Sequence, residues 1–539
     1  MTGHEIDPRS GYCKTNSIFY SKRKQINFPQ EEYLDLPKFV SRLPHRGQIA
    51  LVDASTGEKI TFSQLWGSVK SLAAGLSQIG IKKGDVVLLL SPNSVHFPVI
   101  CMAIMSIGAI VTTTNPLNTA SEIAKQASDS KAKLAFVIPE LEGKLAEANI
   151  PLVLITKNSS SSRRCLMDLM ASDTSKLPDV KIRQDDTATL LYSSGTTGLS
   201  KGVISTHRNL ISMVCILLKR LNLSGSSDDC FLCTVPMFHI YGLCAFACGL
   251  LGSGATVVVL SKFELGEMLR AIEKYRVTYL PVVPPILLAL TKTEAAKGFD
   301  LSSLQSVICG GAPLSKDSTE EFISKFPGVT IMQGYGLTET AGVGASTDNQ
   351  DESRHYGTAG MLSANTEAKV VDPDTGNPLP PNQRGELWLR GPVVMKGYFS
   401  NPEATVSALD KDGWLRTGDL CYIDDEGYIF IVDRLKELIK YKGYQVAPAE
   451  LEALLLSHPE IVDAAVIPLP DKEAGQIPMA YIVRKPGSRL SEASVIEFVA
   501  KKVAPYKKVR RVDFVKEIPK NAAGKLLRKD LIKLATSKL

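Results

Sequence analysis

The chain alternates uninterrupted apolar runs with stretches of helical character, and this alternation restricts the folds open to it. The first clear run is Asp85–Leu90 (DVVLLL), and a helix-like stretch around Phe97–Ile107 follows it. Further apolar runs lie at Leu134–Ile138, Pro151–Ile155, Ala255–Leu260 and Val307–Ile308. Continuous Val, Leu and Ile runs between helices are typical of parallel strands buried on both faces. The pattern therefore predicts an α/β fold with a large N-terminal lobe of parallel-rich sheets.

The character of the chain changes after Asn365. Turn signals such as Asp412-Gly413 become dense there, and short strand-like segments such as Gly385–Arg390 lie between them. We therefore predict a β-rich subdomain over residues 366–434, followed by an α+β pattern to the end of the chain. A length of 539 residues also exceeds what one hydrophobic core can organise. The expected division is an N-terminal domain of residues 1–434 and a small, mobile α+β C-terminal domain of residues 435–539.

Charge is concentrated in the predicted C-terminal domain. Residues 435–539 hold 20 Lys and Arg against 12 Asp and Glu, a net of +8, whereas the whole chain has +6. This excess suits an anionic ligand, although a solvated lysine-rich surface would give the same count. Aromatic residues are only 7% of the chain, so nothing indicates a nucleic-acid stacking surface. The longest uncharged runs, Phe97–Asn115 and Gly242–Ser261, are broken by polar residues, Gly or Pro, so we expect no transmembrane segment.

The last three residues, Ser537-Lys538-Leu539, match the peroxisomal import address. They predict a location in the peroxisomal matrix and the peroxisomal import receptor as a partner. The alternative is a helix end that happens to finish with this tripeptide. We favour the import address, because the position of the match is fixed.

The segment Tyr192–Gly202 (YSSGTTGLSKG) follows an apolar run and is rich in small hydroxyls and glycines. Its glycines let backbone N–H groups approach a ligand closely, its hydroxyls add donors, and Lys201 supplies positive charge, which together suit a triphosphate. Its Gly–Lys spacing differs from that of a Walker A loop. The alternative is an exposed Gly/Ser/Thr loop. The residues expected to contact phosphate are Ser193, Ser194, Gly195, Thr196, Thr197, Gly198 and Lys201.

Four further segments follow in order: Gln333–Thr340 (QGYGLTET), Gly413–Leu420 (GWLRTGDL), Asp433–Val446 (DRLKELIKYKGYQV) and Pro519–Lys525 (PKNAAGK). With the phosphate loop, they resemble the adenylate-forming superfamily of acyl-CoA synthetases, firefly luciferase and peptide-synthetase adenylation domains. The resemblance covers essentially the whole chain. It implies an ATP-dependent acyl-CoA ligase, which activates a carboxylic acid as an acyl-adenylate and passes the acyl group to coenzyme A. It also implies a need for Mg²⁺.

The resemblance places the nucleotide on these segments, and the residue types suit the roles. A carboxylate such as Glu339, next to the hydroxyl of Thr338, can hold Mg²⁺ against phosphate oxygens. The flat ring of Tyr335 suits adenine, and the Asp419 carboxylate suits the ribose hydroxyls. The residues implied to bind ATP or AMP besides the phosphate loop are Gly311, Ala312, Gln333, Gly334, Tyr335, Thr338, Asp419, Arg434, Lys436 and Gln445.

The resemblance also implies two conformations of the C-terminal domain. In the first, Lys525 stabilises the charge that develops on the α-phosphate during adenylation. Rotation about Asp433–Lys436 then brings in the loop that carries Lys440 for thioester formation. The residues implied to contact coenzyme A are Lys262, Lys442 and Gly443.

The acyl site is implied near Pro236–Gly242 (PMFHIYG). A histidine in such an apolar stretch is more often a core residue, whereas the resemblance makes His239 a gate of the acyl site. The residues implied to contact the acid are His239, Ile240, Tyr241, Gly310, Gly334, Gly342 and Val343.

Within the superfamily, the segments Ile6–Cys13 and Phe238–Gly242 resemble plant 4-coumarate–CoA ligases and their peroxisomal relatives. Two segments depart from that pattern. Gly385–Gly391 reads GELWLRG in place of GEICIRG, and Ala341–Val343 reads AGV in place of GPV. Loss of that proline predicts a different acyl pocket, for fatty acids or jasmonate-precursor oxylipins, with cinnamic (phenylpropanoid) acids still open.

Other functions remain alternatives at this level. The chain could be a 4-coumarate or cinnamate ligase proper, despite the departures above. It could be a luciferase-like oxygenase, but it lacks the His-His-Gly-Phe stretch of luciferase. It could be a catalytically inactive binding relative, but it retains Lys201, Glu339 and Lys525.

Overall fold

A computed structural model describes residues 6–45, 48–157, 163–193, 200–221, 229–442, 444–471, 473–521 and 526–537. The strands in these ranges are β1 Tyr12–Cys13, β2 Ile18–Tyr20, β3 Ile49–Asp53, β4 Lys59–Thr61, β5 Val86–Leu90, β6 Ile110–Thr113, β7 Ala132–Val137, β8 Leu152–Leu154, β9 Thr187–Ser193, β10 Lys201–Thr206, β11 Cys230–Cys233, β12 Thr256–Val259, β13 Tyr279–Val282, β14 Ser306–Gly310, β15 Thr330–Tyr335, β16 Ala345–Ser346, β17 Met361–Leu362, β18 Glu367–Val371, β19 Pro378–Leu379, β20 Gly385–Arg390, β21 Gly397–Tyr398, β22 Leu415–Ile423, β23 Ile429–Arg434, β24 Ile439–Tyr441, β25 Tyr444–Val446, β26 Ile461–Asp471, β27 Gly475–Arg484 and β28 Arg511–Phe514.

The α-helices are α1 Leu36–Ser41, α2 Phe62–Gln78, α3 His96–Ser106, α4 Ala120–Ser130, α5 Leu166–Met170, α6 His207–Leu221, α7 Ile240–Gly242, α8 Leu265–Tyr275, α9 Pro284–Lys292, α10 Lys316–Lys325, α11 Gln350–Ser353, α12 Pro402–Ala408, α13 Pro448–Leu456, α14 Glu492–Ala500 and α15 Arg528–Thr536. Throughout the described ranges, each helix is too short or too polar to span a lipid bilayer.

Sheet I has the order β21-β10-β9-β6-β5-β7-β8. Its centre is parallel, since β5 pairs with β6 and β7 in the same direction. All five residues of β5 are buried, because helices such as α3 and α4 pack beside the sheet. The predicted strand at Asp85–Leu90 and the helix after it are therefore confirmed. At the other end of the sheet, β9 and β10 form an antiparallel pair, so the sheet is mixed.

Sheet II has the order β17-β16-β15-β14-β13-β11-β12-β3-β4. Its central strands are parallel, and they include the predicted runs at Ala255–Leu260 and Val307–Ile308. Side by side, β14 and β15 end at Gly310 and Tyr335. In parallel sheets covered by helices, ligands bind beyond the carboxyl ends of the strands, so these two ends mark a candidate site.

Sheet III has the order β1-β2-β18-β20-β22-β23, with β19 added beside β18. Its pairs are antiparallel, in keeping with the dense turns of residues 366–434. The sequence did not predict that the N-terminal hairpin β1–β2 joins this sheet. Nor did it predict that β21 leaves the segment and pairs with β10 at the edge of sheet I.

Sheet IV has the order β25-β24-β27-β26, with β28 beside β27, and α13, α14 and α15 pack near it. The chain passes from sheet III to sheet IV between Arg434 and Ile439. The predicted boundary after residue 434 falls at this crossing, and its use as a hinge stays a prediction.

Candidate active site

The phosphate loop starts and ends on a pair of antiparallel strands. Ser193 is the last residue of β9 and Lys201 is the first residue of β10, and the two are direct register partners. The strands therefore hold both ends of the loop close together. Its predicted contacts Ser194, Gly195, Thr196, Thr197 and Gly198 lie outside the described residues.

Glu339 lies next to this loop, in the short 3₁₀ helix Thr338–Thr340 that follows β15. Its Oε1 atom accepts a hydrogen bond from the Ser193 hydroxyl at 2.9 Å and another from the Tyr398 hydroxyl at 2.9 Å. Its Oε2 atom has no hydrogen bond within the described ranges. One carboxylate oxygen held in place and the other left open fit an oxygen-binding divalent cation such as Mg²⁺.

Tyr398 is a member of this cluster that sequence reasoning missed. It ends β21, and its ring lies 5.0 Å from the Lys201 ammonium. Burial, together with the neighbouring Glu339 charge, raises the pKa of its phenol. Tyr398 therefore remains a hydroxyl donor to Glu339 at physiological pH. The sequence offers only a Gly-Tyr pair in a turn-rich segment, and the pairing of β21 with β10 brings it here.

A second carboxylate, Asp419, is the residue predicted to bind the ribose, and two side chains hold it in place. It is a register partner of Arg434 across β22 and β23, and Arg434 Nε lies 2.9 Å from its Oδ1. The Tyr335 hydroxyl donates to its Oδ2 at 2.6 Å. Burial and the Asp419 charge raise the pKa of Tyr335 well above its ordinary value, so the phenol stays protonated. The carboxylate oxygens of Asp419 are acceptors, which suits the predicted contact with ribose hydroxyls.

The other predicted nucleotide residues fall around the same strand ends. Gly311 and Ala312 directly follow β14 and are exposed, while Gln333 and Gly334 belong to the end of β15. Gln333 is buried, and its backbone binds Arg220 and Thr347, so it supports the strand end from inside. The structure thus joins Ser193, Glu339 and Tyr398 in one cluster and Tyr335, Asp419 and Arg434 in another, although these residues are far apart in the sequence.

The acyl residues also come together. Gly310 and Gly334 are register partners on β14 and β15. A Cβ atom at position 310 would lie 3.6 Å from the Tyr241 ring, whose hydroxyl donates to the Ile308 carbonyl at 2.9 Å. The ring therefore lies over the glycine face of these strands. A methyl group at 310 would contact the ring and one at 334 would contact Arg220, so the two glycines keep this face of the sheet flat.

Gly342 faces the same region, since a Cβ atom there would lie 3.6 Å from Cys244 Cβ and 3.8 Å from Ile240. Its φ is +104°, a value that proline cannot adopt. The departure from the 4-coumarate ligase pattern at this position is therefore a change of backbone conformation as well as a loss of ring volume. Val343, the next predicted contact, is half-buried against the main core.

His239 is exposed, so the interpretation as a core histidine is wrong. It forms the N-cap of α7, and its Nδ1 accepts the Tyr241 N–H at 3.4 Å. A π-helix at Leu243–Gly249 follows directly, and sequence reasoning did not predict it. Such segments are rare and often lie at functional sites, which agrees with a position beside the acyl region.

Three predicted residues of the second half-reaction lie on the hairpin β24–β25. Lys440 and Gln445 are exposed register partners on the hairpin β24–β25, and Lys442 at its turn has a φ of +45°. No hydrogen bond or ion pair between described residues joins the Lys440 or Lys442 side chain to Glu339 or Asp419. Lys436 is exposed in the 3₁₀ helix Leu435–Glu437, and Lys262 is exposed shortly after β12. Gly443 and Lys525 lie outside the described residues.

Comparisons with known proteins agree with this geometry. Residues 40–399 match the family AMP-binding enzyme, and residues 450–525 match the AMP-binding enzyme C-terminal domain. The probable CoA ligase CCL5 of Humulus lupulus is 63% identical over 544 residues, which cover 99% of this chain and 98% of that protein. The peroxisomal OPC-8:0-CoA ligase 1 of Arabidopsis thaliana is 61% identical over 540 residues, 99% of each chain. The structure of o-succinylbenzoate CoA synthetase (MenE) from Bacillus subtilis with ATP and magnesium ion superimposes with a TM-score of 0.81 at 29% identity, covering 93% of this chain and 100% of that one.

Proposed function

Because the chain belongs to the AMP-binding enzyme family and is an acid–thiol ligase that uses ATP, Mg²⁺ and coenzyme A, we propose that its acid is hydrophobic and flexible, a fatty acid or a jasmonate-precursor oxylipin. The observation that carries this proposal is the glycine face beneath Tyr241. Three glycines, at 310, 334 and 342, stand where side chains would narrow the acyl region. Each methylene buried in such a space adds about 0.8 kcal/mol of binding free energy.

The relatives support the same choice. The Arabidopsis protein at 61% identity is named for an OPC-8:0 acid and for the peroxisome. A cinnamic acid is short and carries a ring, so it gains little from added length. A phenolic hydroxyl would also need a partner, because a buried unpaired hydroxyl costs about 1–3 kcal/mol.

The acid preference can be tested with the purified protein, ATP, Mg²⁺ and coenzyme A. We expect pyrophosphate release and thioester formation with medium-chain and oxylipin acids, at a higher kcat/KM than with 4-coumarate. A preference for 4-coumarate over every such acid would contradict the proposal.

For adenylation, we propose that the N-terminal residues bind and orient ATP while the acid carboxylate attacks the α-phosphate and pyrophosphate leaves. Glu339 would hold Mg²⁺, which offsets phosphate charge when bound. Lys201 and the hydroxyls of the loop would bind the phosphates, and Asp419 would hold the ribose. Lys525 would stabilise the charge gained at the α-phosphate in the transition state, which is where electrostatic stabilisation accelerates the step.

For thioester formation, we propose that the C-terminal domain rotates about Asp433–Lys436. The thiol sulfur of coenzyme A then attacks the acyl carbon, and AMP leaves. Lys440 would enter the site with its hairpin, whose two central side chains are exposed and accessible. Lys436 and Gln445 would contact AMP, and Lys262, Lys442 and Gly443 would contact coenzyme A.

The two conformations predict opposite mutational effects. Lys525→Ala should lower adenylation more than thioester formation from supplied acyl-adenylate, because Lys525 acts in the first step only. Lys440→Ala should show the reverse order in single-turnover assays. Lys501→Ala is the control, since Lys501 is exposed just after α14 and its ion pair within the described ranges is with Glu497. Equal losses of both steps in each variant would exclude the rotation.

We also propose that the protein acts in the peroxisomal matrix, reached through Ser537-Lys538-Leu539 and the import receptor. Ser537 is exposed at the end of α15, and Lys538 and Leu539 lie outside the described residues. A fluorescent fusion should enter peroxisomes only with the tripeptide present. Entry without it would refute this address.

A further inference from the structure

A buried arginine lies at the edge of the acyl region. Arg220 stands near the end of α6, and its side chain is only 5% exposed. Its Nη2 atom donates to the carbonyl oxygens of Gln333 at 3.0 Å and Thr347 at 3.4 Å, and its Nε lies 3.2 Å from Asp348 Oδ1. The third nitrogen, Nη1, has no acceptor among the residues that the structure describes. Among the described residues, Nε is the fully buried nitrogen of this side chain that lacks a hydrogen bond, whereas Nη1 keeps some accessible surface, so Nη1 can donate to a ligand in the space beside it.

The unpaired nitrogen faces the glycine side of the sheet. A Cβ atom at position 334 would lie 3.4 Å from Arg220 Nη1. Gly334 is the register partner of Gly310, whose own missing Cβ faces the Tyr241 ring at 3.6 Å. Paired residues on neighbouring strands point to the same face. Arg220 and Tyr241 therefore lie over one face of β14 and β15, and glycine at 334 leaves Nη1 open to it.

The charge of Arg220 is already balanced by the protein. Asp348 binds both Arg220 and Arg23, whose Nη1 lies 2.8 Å from Asp348 Oδ2. Arg23 Nη2 in turn lies 2.8 Å from Glu352. These four side chains carry two positive and two negative charges. A ligand group at Nη1 therefore needs an acceptor oxygen but no negative charge.

We propose that Arg220 Nη1 donates a hydrogen bond to a neutral oxygen, a ketone or a hydroxyl, carried on the chain of the acid away from its carboxylate. The inference rests on the proposed function and narrows it from fatty acids in general to oxygenated fatty acids. Arg220 is then a specificity residue, since it binds the part of the acid that does not react. A second carboxylate group on the acid is disfavoured at this position, because the four charged side chains around Arg220 have no excess positive charge to balance it.

The test compares saturated acids of one length, without a ketone and with a ketone moved along the chain. Adenylation is followed by pyrophosphate release from the full-length protein. We expect one ketone position to raise kcat/KM about 10-fold to 100-fold over the unsubstituted acid, the range for a hydrogen bond to a charged group. In Arg220→Met this ratio should fall to about one. Arg23→Met is the control, because Arg23 shares the Asp348 ion pair with Arg220 but is not the side chain that faces Gly334, and it should keep the ratio.

A second variant keeps the inference testable if Arg220→Met does not fold. Gly334→Ala retains Arg220 and its ion pairs, but places a methyl group 3.4 Å from Nη1 and should reduce the ratio as well. If the wild type uses plain fatty acids and no ketone position is preferred, the inference fails while the proposed function stands. A dicarboxylic acid preferred over every oxo acid would also overturn it. If no hydrophobic acid is used at all, the proposed function itself fails.

Discussion

The nucleotide side and the acyl side of the candidate active site are shaped in different ways. On the nucleotide side, Glu339 and Asp419 each accept hydrogen bonds or ion pairs from two side chains, at 2.6–2.9 Å. On the acyl side, the space is defined by side chains that are missing, at Gly310, Gly334 and Gly342. Charged groups held by several bonds have fixed positions, whereas a glycine wall changes shape with one added methyl group.

The difference suits what each side is proposed to bind. ATP is the same for every acid, so a preorganised network of charges can be built for it once. The acid differs between enzymes, and changing a glycine wall leaves no buried charge without a partner. Changes on the nucleotide side should therefore lower activity with all acids, and changes on the acyl side should alter the preference among them.

The largest effect is expected from Glu339→Gln. This variant keeps the shape of the side chain but removes the charge that would hold Mg²⁺. We expect kcat for adenylation to fall on the order of 100-fold to 1,000-fold, to the same extent with every acid. Glu367→Gln is the control, because Glu367 pairs with Arg390 in sheet III. Losses that depend on the acid would contradict the division into two sides.

Tyr398→Phe should have an intermediate effect. It removes one of the two hydroxyls that hold Glu339 Oε1 but keeps the ring beside Lys201. The loss of one such bond, about 1 kcal/mol, predicts a roughly fivefold fall in kcat/KM. It should also raise the Mg²⁺ concentration for half-maximal activity. Tyr422→Phe, in which the ring stacks on Phe430, should change neither quantity. An unchanged Mg²⁺ requirement in Tyr398→Phe would remove Tyr398 from the site.

Gly310→Ala should have the smallest effect on total activity and the clearest effect on preference. The added methyl would face the Tyr241 ring at 3.6 Å and the Gly334 carbonyl oxygen at 3.2 Å. We expect the ratio of kcat/KM for a long acid over a short acid to fall about fourfold, which corresponds to one methylene. Equal losses for both acids would show that position 310 does not line the acyl region.

Sequence reasoning reached those parts of the site that stand in recognisable local motifs. The apolar runs predicted the central strands, and the ordered motifs predicted that Ser193, Glu339 and Asp419 would meet. It missed Tyr398, because the pairing of β21 with β10 is long-range and no local sequence pattern indicates it. It also missed Arg220, because a basic pair at the end of a helix usually lies at the surface. Both residues were placed by tertiary contacts alone.

The backbone at Gly342 has a consequence for how this pocket can evolve. Its φ of +104° lies about 170° from the angle that a proline ring enforces. A mutation that replaces Gly342 alone by proline would therefore strain the backbone of this turn, whichever acid the altered pocket could bind. A change from proline to the glycine conformation seen here would need a change in the neighbouring backbone first. The reverse change, from glycine to proline, would need that backbone change to be undone.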